Sequence, residues 1–397
     1  MSPVARATVA YIVYFTAVGA YWPYIPVYYR GLGLDLGTIG LLAALAAATQ
    51  LVASPAWGAL TDRFPHSRLI LPAAAFLAAG AAVGLASARD LPVIAACVLL
   101  LALGLSGVSP MLDARTLDLL GEARHRYGQV RAWGSVAFIV TALLVGFLID
   151  RQGNAILFAI YVPGLVLTAL VTFSFPRRRR TRSVSPLRGA WDLFRQRSMG
   201  FFLLGALLTW MMITAVNAFF SIHLIALGAP AQAVGLAWIV GAAVEVPLMW
   251  AFPRLAARFG MERLLIAAAF AFVLREIGYA LVADPAVLVA LTALEGFGFG
   301  LFYVGGVTFV SQRAPAGLAG TAQGVFTGIS AGLATILGTG LGGFVAGALT
   351  IRGLFAVCAV GSAIATVVVA YAVLSERRPV AGAASAPIDL LNEEVPS

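Results

Sequence analysis

The sequence predicts an all-α membrane protein with twelve transmembrane helices, arranged as two six-helix pseudo-repeat bundles. Of its 397 residues, 61% are hydrophobic and 11% are charged, whereas a soluble domain is about 45–50% apolar and about 25% charged. A helix needs roughly 20 apolar residues to span a bilayer, so the chain has room for about a dozen spans joined by short loops. This composition excludes a soluble multidomain enzyme.

Apolar runs of spanning length follow one another along the chain, and we number them spans 1 to 12. Spans 1 to 6 lie at about 7–28, 38–60, 69–88, 92–112, 129–149 and 155–175. Spans 7 to 12 lie at about 201–226, 231–252, 263–283, 286–310, 320–349 and 351–374. They predict an N-terminal bundle over 1–175 and a C-terminal bundle over 200–374. We expect 176–199 to be a basic cytoplasmic linker, which can include a short interfacial helix, and 375–397 to be a disordered tail.

The arginine distribution predicts the side of the membrane that each loop faces. Eight of the 26 basic residues crowd the linker between Arg177 and Arg197, and other loops after even-numbered spans also carry arginine. Such an excess marks cytoplasmic loops, so both termini are predicted to be cytoplasmic, in the plasma (inner) membrane of a bacterium. The loop arginines also account for the net charge of +9 without a nucleic-acid partner.

The two halves carry a matching pattern after their second spans. Arg63-Phe64 is followed by Arg68-Leu69, and Arg258-Phe259 is followed by Arg263-Leu264 with the same internal spacing. Six plus six helices around a basic central loop form a repeat architecture typical of secondary transporters, whose sites lie near the midplane between the halves. The pattern therefore predicts an internal repeat and a central binding site.

Four ionisable residues lie deep inside predicted spans: Glu245 in span 8, Arg275 and Glu276 in span 9, and Glu295 in span 10. Each costs about 2.5–3.5 kcal/mol on insertion scales, and such residues usually mark function. Two carboxylates sharing one guanidinium would suit proton coupling, because burial favours the neutral acid and a nearby arginine favours the carboxylate. The alternative is a static ion network that holds spans 8–10 together. Glu276 lies about 100° around the helix from Arg275, which directs it toward another cavity or the loop side.

Aromatic residues crowd span 1, and Tyr14 and Tyr21 are candidate substrate-binding residues. Their alternative role is packing or, near the outer end, an interfacial aromatic belt. Glycine recurs at every fourth position of span 11 from Gly320 to Gly332, which predicts close helix contact. No His, Cys and carboxylate group has metal-ligand spacing, and no phosphate-binding loop lies on a soluble domain. We expect no metal or cofactor, and a proton gradient rather than ATP as the energy source.

The loop after span 2 resembles a signature of the major facilitator superfamily. The residues Gly58-Ala59-Leu60-Thr61-Asp62-Arg63, followed by Arg68, match that signature except that Pro65 replaces its usual glycine. The resemblance implies that Asp62, Arg63 and Arg68 belong to a cytoplasmic gate that latches the halves in the outward-open state.

Two further motifs are similar to those of proton symporters related to lactose permease and to the phenylpropionate-type permeases. They are Gly19-Ala20-Tyr21-Trp22-Pro23-Tyr24-Ile25-Pro26 in span 1 and Tyr127-Gly128-Gln129-Val130-Arg131-Ala132-Trp133-Gly134-Ser135 before span 5. The resemblance implies that Arg131 pairs with Asp113, eighteen residues earlier, that both bind substrate, and that spans 4 and 5 are longer than the runs above. Phe138 takes the place of the permease's sugar-stacking Trp.

The second half resembles the same permeases at its membrane charges. Glu245 matches the family's helix 8 Glu, and Arg275 matches its helix 9 Arg, both implicated in coupling. In span 10, Glu295 replaces the family's His and Gly298 replaces the proton-carrying Glu. The resemblance therefore implies that Glu295 or Glu245 carries the proton here.

Together these observations predict a monomeric, proton-coupled symporter of a small organic solute, working by alternating access. The solute would be a sugar, a nucleoside or an aromatic carboxylate, bound by Asp113 and Arg131. Two alternatives are a proton-driven efflux antiporter for drugs or metabolites, which the same charges permit, and a polytopic receptor that transports nothing.

Overall fold

A computed structural model describes residues 2–64, 67–121, 126–175, 197–314 and 319–375, and this part of the chain contains twelve helices long and apolar enough to cross a membrane. In the first half they are α1 (Pro3–Tyr21, continued after a turn as Ile25–Gly31), α2 (Leu36–Arg63), α3 (Ile70–Ser87), α4 (Leu91–Leu120), α5 (Tyr127–Gln152) and α6 (Ile156–Phe173). In the second half they are α7 (Arg197–Ala226), α8 (Gln232–Phe259), α9 (Met261–Leu281), α10 (Pro285–Arg313), α11 and α12 (Ile351–Leu374). Helix α11 consists of Ala319–Thr327, the π-helical turn Gly328–Leu333 and Ala334–Leu349. All twelve predicted spans are confirmed as helices.

Short polar signals set several helix ends. Asp35 caps α2 by accepting hydrogen bonds from the Thr38 amide (2.9 Å) and hydroxyl (2.6 Å), and these bonds lower the pKa of Asp35 below its usual value. Gly153 and Gly260 end α5 and α8 with φ of +84° and +85°, a backbone conformation that glycine adopts without a steric penalty.

Three helices differ from the apolar runs that predicted them. Helices α4 and α5 extend to Leu120 and back to Tyr127, which confirms the longer spans that the permease resemblance implied. Helix α1 breaks after Tyr21, because Pro23 and Pro26 lack the amide protons that would continue the helical hydrogen bonds to carbonyls four residues earlier.

The two halves have the same pattern of helix packing. In the first half α1 packs on α5 and α6, α3 on α4 and α6, and α2 on α4. In the second half α7 packs on α11 and α12, α9 on α10 and α12, and α8 on α10. Each pair recurs six helices later, so the predicted two six-helix pseudo-repeats are confirmed.

The halves meet mainly through α2 with α11 and α5 with α8, at glycines near one end of the bundle. A Cβ atom at Gly40 of α2 would collide with backbone atoms of Thr339 and Gly343 in α11. A Cβ atom at Gly235 of α8 would meet the Ala142 carbonyl of α5 at 2.9 Å. These contacts lie where α2 and α8 begin and where α5 and α11 end, and we call this the closed end.

Toward the opposite end, where the chain begins, the facing helices separate. A Cβ atom at Gly58 of α2, Gly128 of α5, or Gly324 and Gly328 of α11 would meet no atom within 4 Å. The predicted close contact along span 11 therefore holds at Gly332, which packs on Leu51, but is wrong at Gly324 and Gly328. The space between the halves is open at this end.

Candidate solute and coupling sites

A buried charge cluster joins α9 and α10 in the second half. Arg275 Nη1 lies 3.1 Å from Glu295 Oε2, and Arg275 Nη2 lies 3.4 Å from Glu276 Oε1. Arg275 and Glu276 are fully buried, whereas 21% of the Glu295 side chain is exposed. Two carboxylates thus share one guanidinium, as expected, but the second is Glu276. Its predicted position toward another cavity or the loop side is wrong, because its carboxylate reaches back to Arg275.

Asn217 of α7 completes this cluster, and the sequence analysis missed it. Its Nδ2 donates a hydrogen bond of 2.7 Å to Glu295 Oε1, and its Oδ1 accepts one of 3.4 Å from Arg275 Nη1. Glu295 is therefore the carboxylate with the more complete set of partners. A carboxamide in the middle of the apolar span 7 was the available signal.

Glu245 of α8 lies on the solute side of the cluster. Its backbone packs on Gly296 and Gly300 of α10, which brings its side chain near enough to Glu295 for the two carboxylates to interact electrostatically. Its half-buried carboxylate makes no ion pair or hydrogen bond with the described residues. Arg275 therefore pairs with Glu295 and Glu276 and leaves Glu245 unpaired.

In the first half, Asp113 and Arg131 approach the same tyrosine from two sides. The Tyr11 hydroxyl hydrogen-bonds to Asp113 Oδ1 and lies 3.3 Å from the Tyr127 hydroxyl. The Arg131 guanidinium lies 5.9 Å from the Tyr11 ring centre and 4.3 Å from that of Phe15. The direct Asp113–Arg131 pair implied by the resemblance is absent from the described residues. Stacking on an aromatic face leaves the edge of a guanidinium free to donate hydrogen bonds.

Aromatic residues of both halves meet between them. Trp238 of α8 contacts Phe138 of α5 edge-on, with ring centres 5.6 Å apart, and Trp22 of α1 at 6.2 Å. Tyr14, 7% exposed, packs edge-on against Phe15. Tyr21 instead stacks on Tyr161 at 4.3 Å within the core of the first half, so the structure places it in packing and not in the central space.

At the closed end, a carboxylate of one half caps a helix of the other. Asp150 at the end of α5 accepts hydrogen bonds from the amides of Ala231 (2.7 Å) and Gln232 (3.2 Å) at the start of α8. Tyr24 donates a 2.6 Å hydrogen bond to the Ala142 carbonyl of α5. A carboxylate at a helix N-terminus satisfies free amides and complements the helix dipole. The sequence analysis treated Asp150 as a loop charge and missed this contact.

The predicted cytoplasmic gate lies at the open end. Arg63 and Arg68 are exposed, and neither forms an ion pair with another described residue. The Asp62 side chain, the linker 176–196 with its predicted interfacial helix, and the tail from 376 onward lie outside the described residues. Within the described ranges, no group of His, Cys, Asp and Glu is arranged to hold a metal ion.

Twelve membrane-spanning helices in two similar halves, with buried charges beside the space between them, define a transporter of the major facilitator fold. The chain belongs to the MFS_1 like family, whose sequence model matches residues 5–357. This membership confirms the superfamily resemblance and, because the relatives are transporters, shows a transporter and not an enzyme.

The relatives and neighbouring structures cover nearly the whole chain. A maltose permease of Geobacillus stearothermophilus is 30% identical over 347 residues, which are 86% of this chain and 88% of the permease. A protein of Escherichia coli named "Probable 3-phenylpropionic acid transporter" is 27% identical over 273 residues, 67% of this chain and 71% of that protein. The crystal structure of nucleoside transporter NupG superposes with a TM-score of 0.84 at 18% identity, covering 96% of this chain and 100% of NupG, which shows a shared fold.

Proposed function

We propose that this chain is a proton-coupled symporter of a small hydroxyl-rich solute, of the sugar or nucleoside type, that works by alternating access as a monomer in a bacterial inner membrane. The observation that carries the proposal is the charge balance around Arg275. Glu245, Glu276 and Glu295 surround one guanidinium, so full ionisation would leave two excess negative charges in the bilayer interior. Buried groups in that situation bind protons and become neutral.

The solute is held, in this proposal, between Arg131, Asp113 and the aromatic contact of Phe138 with Trp238. The guanidinium donates to hydroxyl or carboxylate oxygens, Asp113 accepts from hydroxyls, and the rings cover the apolar face of a sugar or base. The maltose permease relative favours a sugar, whereas an aromatic carboxylate would use the same arginine and rings. No metal or cofactor has a part in this mechanism.

Alternating access follows from the two ends. The contacts of α2 with α11 and α5 with α8 close one end, and the glycine faces at the other end have no neighbour. With the orientation predicted from the arginines, the open end is cytoplasmic, and the structure corresponds to the inward-open state. Arg63, Arg68 and Asp62 would then make their contacts only when the halves close at that end.

Glu295→Gln is expected to abolish solute accumulation driven by a proton gradient, because the glutamine cannot exchange a proton, while downhill exchange of solute continues. The measurement is uptake of labelled maltose, uridine and phenylpropionate into proteoliposomes with and without an imposed pH gradient. Glu262→Gln, in the first turn of α9, is the matched control. Unchanged uphill uptake in Glu295→Gln would remove Glu295 from coupling, and gradient-driven export by the wild type would favour the antiporter.

Arg131→Lys is expected to raise the half-saturating solute concentration by about 10- to 150-fold, because hydrogen bonds to charged groups contribute about 1.5–3 kcal/mol and lysine loses the planar fork. Initial rates of labelled-solute exchange at varied concentration measure this change. Arg258→Lys, on the exposed face of α8, should leave the concentration unchanged. Equal half-saturation in Arg131→Lys and wild type would exclude Arg131 from the solute site.

A further inference from the structure

Glu276 has an incomplete set of partners although no part of its side chain is exposed. Its Oε1 has the 3.4 Å contact to Arg275, and its Oε2 has no hydrogen-bond partner among the described residues. An ionised carboxylate buried in this way costs several kcal/mol, whereas a protonated acid is neutral and has an O–H to donate. The geometry therefore fits a carboxylic acid at this position better than a carboxylate.

The polar atoms around Glu276 are also buried and without partners. They are the Ser362 hydroxyl of α12, which lies beside the Glu276 carboxylate, the Tyr279 hydroxyl, and Arg275 Nε. Toward the closed end, the Ser221 hydroxyl and His223 Nε2 of α7 have none either. Native proteins pair nearly all buried polar atoms, and a group of exceptions indicates internal water or an exchangeable proton.

The charges facing Glu276 leave it as the weaker carboxylate. From α9 they are Arg275 and Tyr279, from α10 Glu295, from α12 Cys358, from α8 Glu245, and from α7 His223, which packs on Phe355 next to Tyr279. Arg275 is the single cation of the cluster. Glu295 takes its 3.1 Å contact together with Asn217, so Arg275 neutralises Glu295 first.

We propose that Glu276, enclosed between Arg275 and Ser362 in the interior of the second half, is a proton-binding site separate from the solute space. The inference rests on the proposed proton coupling and assigns the resident proton to Glu276 instead of Glu295 or Glu245. Arg275 lies between the two sides. When Glu295 is neutralised or drawn away on the solute side, the guanidinium turns to Glu276, whose O–H bond breaks and gives its proton to an adjacent water molecule.

Infrared spectroscopy tests the site without a solute. In reconstituted wild-type protein at neutral pH, the carbonyl stretch of a protonated carboxylic acid in an apolar setting is expected, and Glu276→Gln should lose it. Ser362→Ala keeps the acid but removes its hydroxyl neighbour, so the stretch should shift while the fold is retained. Glu295→Gln and Glu262→Gln should retain the band. A spectrum identical in wild type and Glu276→Gln would overturn the assignment.

Transport separates this inference from the proposed function. If the wild type accumulates maltose or another probe on a proton gradient, Glu276→Gln should lose accumulation and keep exchange. Retained accumulation in Glu276→Gln would overturn the inference and leave proton coupling standing. If no gradient drives wild-type uptake, the proposed function fails, and the band is judged alone. Thermal stabilisation by sodium chloride, lost in Glu276→Gln and accompanied by no acid band, would overturn the proton site in favour of a sodium site.

Discussion

Replacing Arg275 with methionine is expected to destabilise the protein by about 3–5 kcal/mol, because it leaves buried carboxylates without their cation. Methionine fills a similar volume and can pack between Phe272 and Tyr279, whose ring centres lie 5.4 and 5.6 Å from the guanidinium carbon. The loss is therefore electrostatic and not a cavity effect. Uphill transport should disappear in the same variant.

Thermal unfolding of the purified protein measures the loss, over a range of pH. The destabilisation should be smaller at acid pH, because protonation of Glu276 and Glu295 then replaces the missing cation. Arg352→Met is the control, since Arg352 bonds only the Ala280 and Leu281 carbonyls at the exposed end of α9. Equal stability of Arg275→Met and wild type at neutral pH would show that the carboxylates are already neutral in the folded protein.

The triple variant Arg275→Met, Glu276→Gln, Glu295→Gln separates charge from packing. It has no buried ion pair to lose, and neutral replacement of a buried ion network is often tolerated without loss of stability. We expect it to recover most of the stability that Arg275→Met loses, and to transport without accumulation. Failure to recover would assign the role of Arg275 to packing.

The helices were predictable from sequence because each span is long, apolar and bounded by polar loops. The pseudo-repeat was visible in the matching pairs Arg63-Phe64 and Arg258-Phe259, and the six-helix recurrence of packing pairs confirms it. The break in α1 was not predicted, although Pro23 and Pro26 were in view, because hydropathy averages over the few residues in which backbone hydrogen bonds are lost.

The composition of the charge cluster was predictable, but its partners were not. Glu245, Arg275, Glu276 and Glu295 were recognisable because charge is rare inside a span. Sequence gives an angle around each helix axis, whereas long side chains turn back toward a neighbour, as Glu276 does toward Arg275. Asn217 carries no charge, so its place between Glu295 and Arg275 emerges only when α7 packs against α9 and α10.

Contacts between the halves depend on the conformation and not only on the fold. Asp150 looks like any loop acid until α8 starts beside it, and that approach exists only while this end is closed. The same reasoning applies in reverse to Arg63 and Arg68, which have no ionic partner among the described residues at the open end. A single sequence encodes both sets of contacts, so neither can be read as simply formed or absent.

Gly40→Val is expected to hold the protein open at the end that is closed here. A Cβ atom at Gly40 would collide with the Thr339 and Gly343 backbone of α11, and neither helix can yield because both are backbone surfaces. Overpacking costs about 1–3 kcal/mol, which shifts a two-state equilibrium by about 5- to 150-fold. The cost falls only on the state in which α2 and α11 touch.

Distances between spin labels at Arg89 and Ala283, on the closed-end loops of the two halves, measure this shift after Cys97 and Cys358 are replaced by serine. Gly40→Val should lengthen the distance and stop net transport. Gly80→Val on α3 is the matched control, because a Cβ atom there meets nothing within 4 Å, so its distances should equal those of wild type. If Gly40→Val keeps the short distance and full transport, α2 and α11 need not touch during the cycle, and Asp150 with Tyr24 would then close this end through α5 and α8.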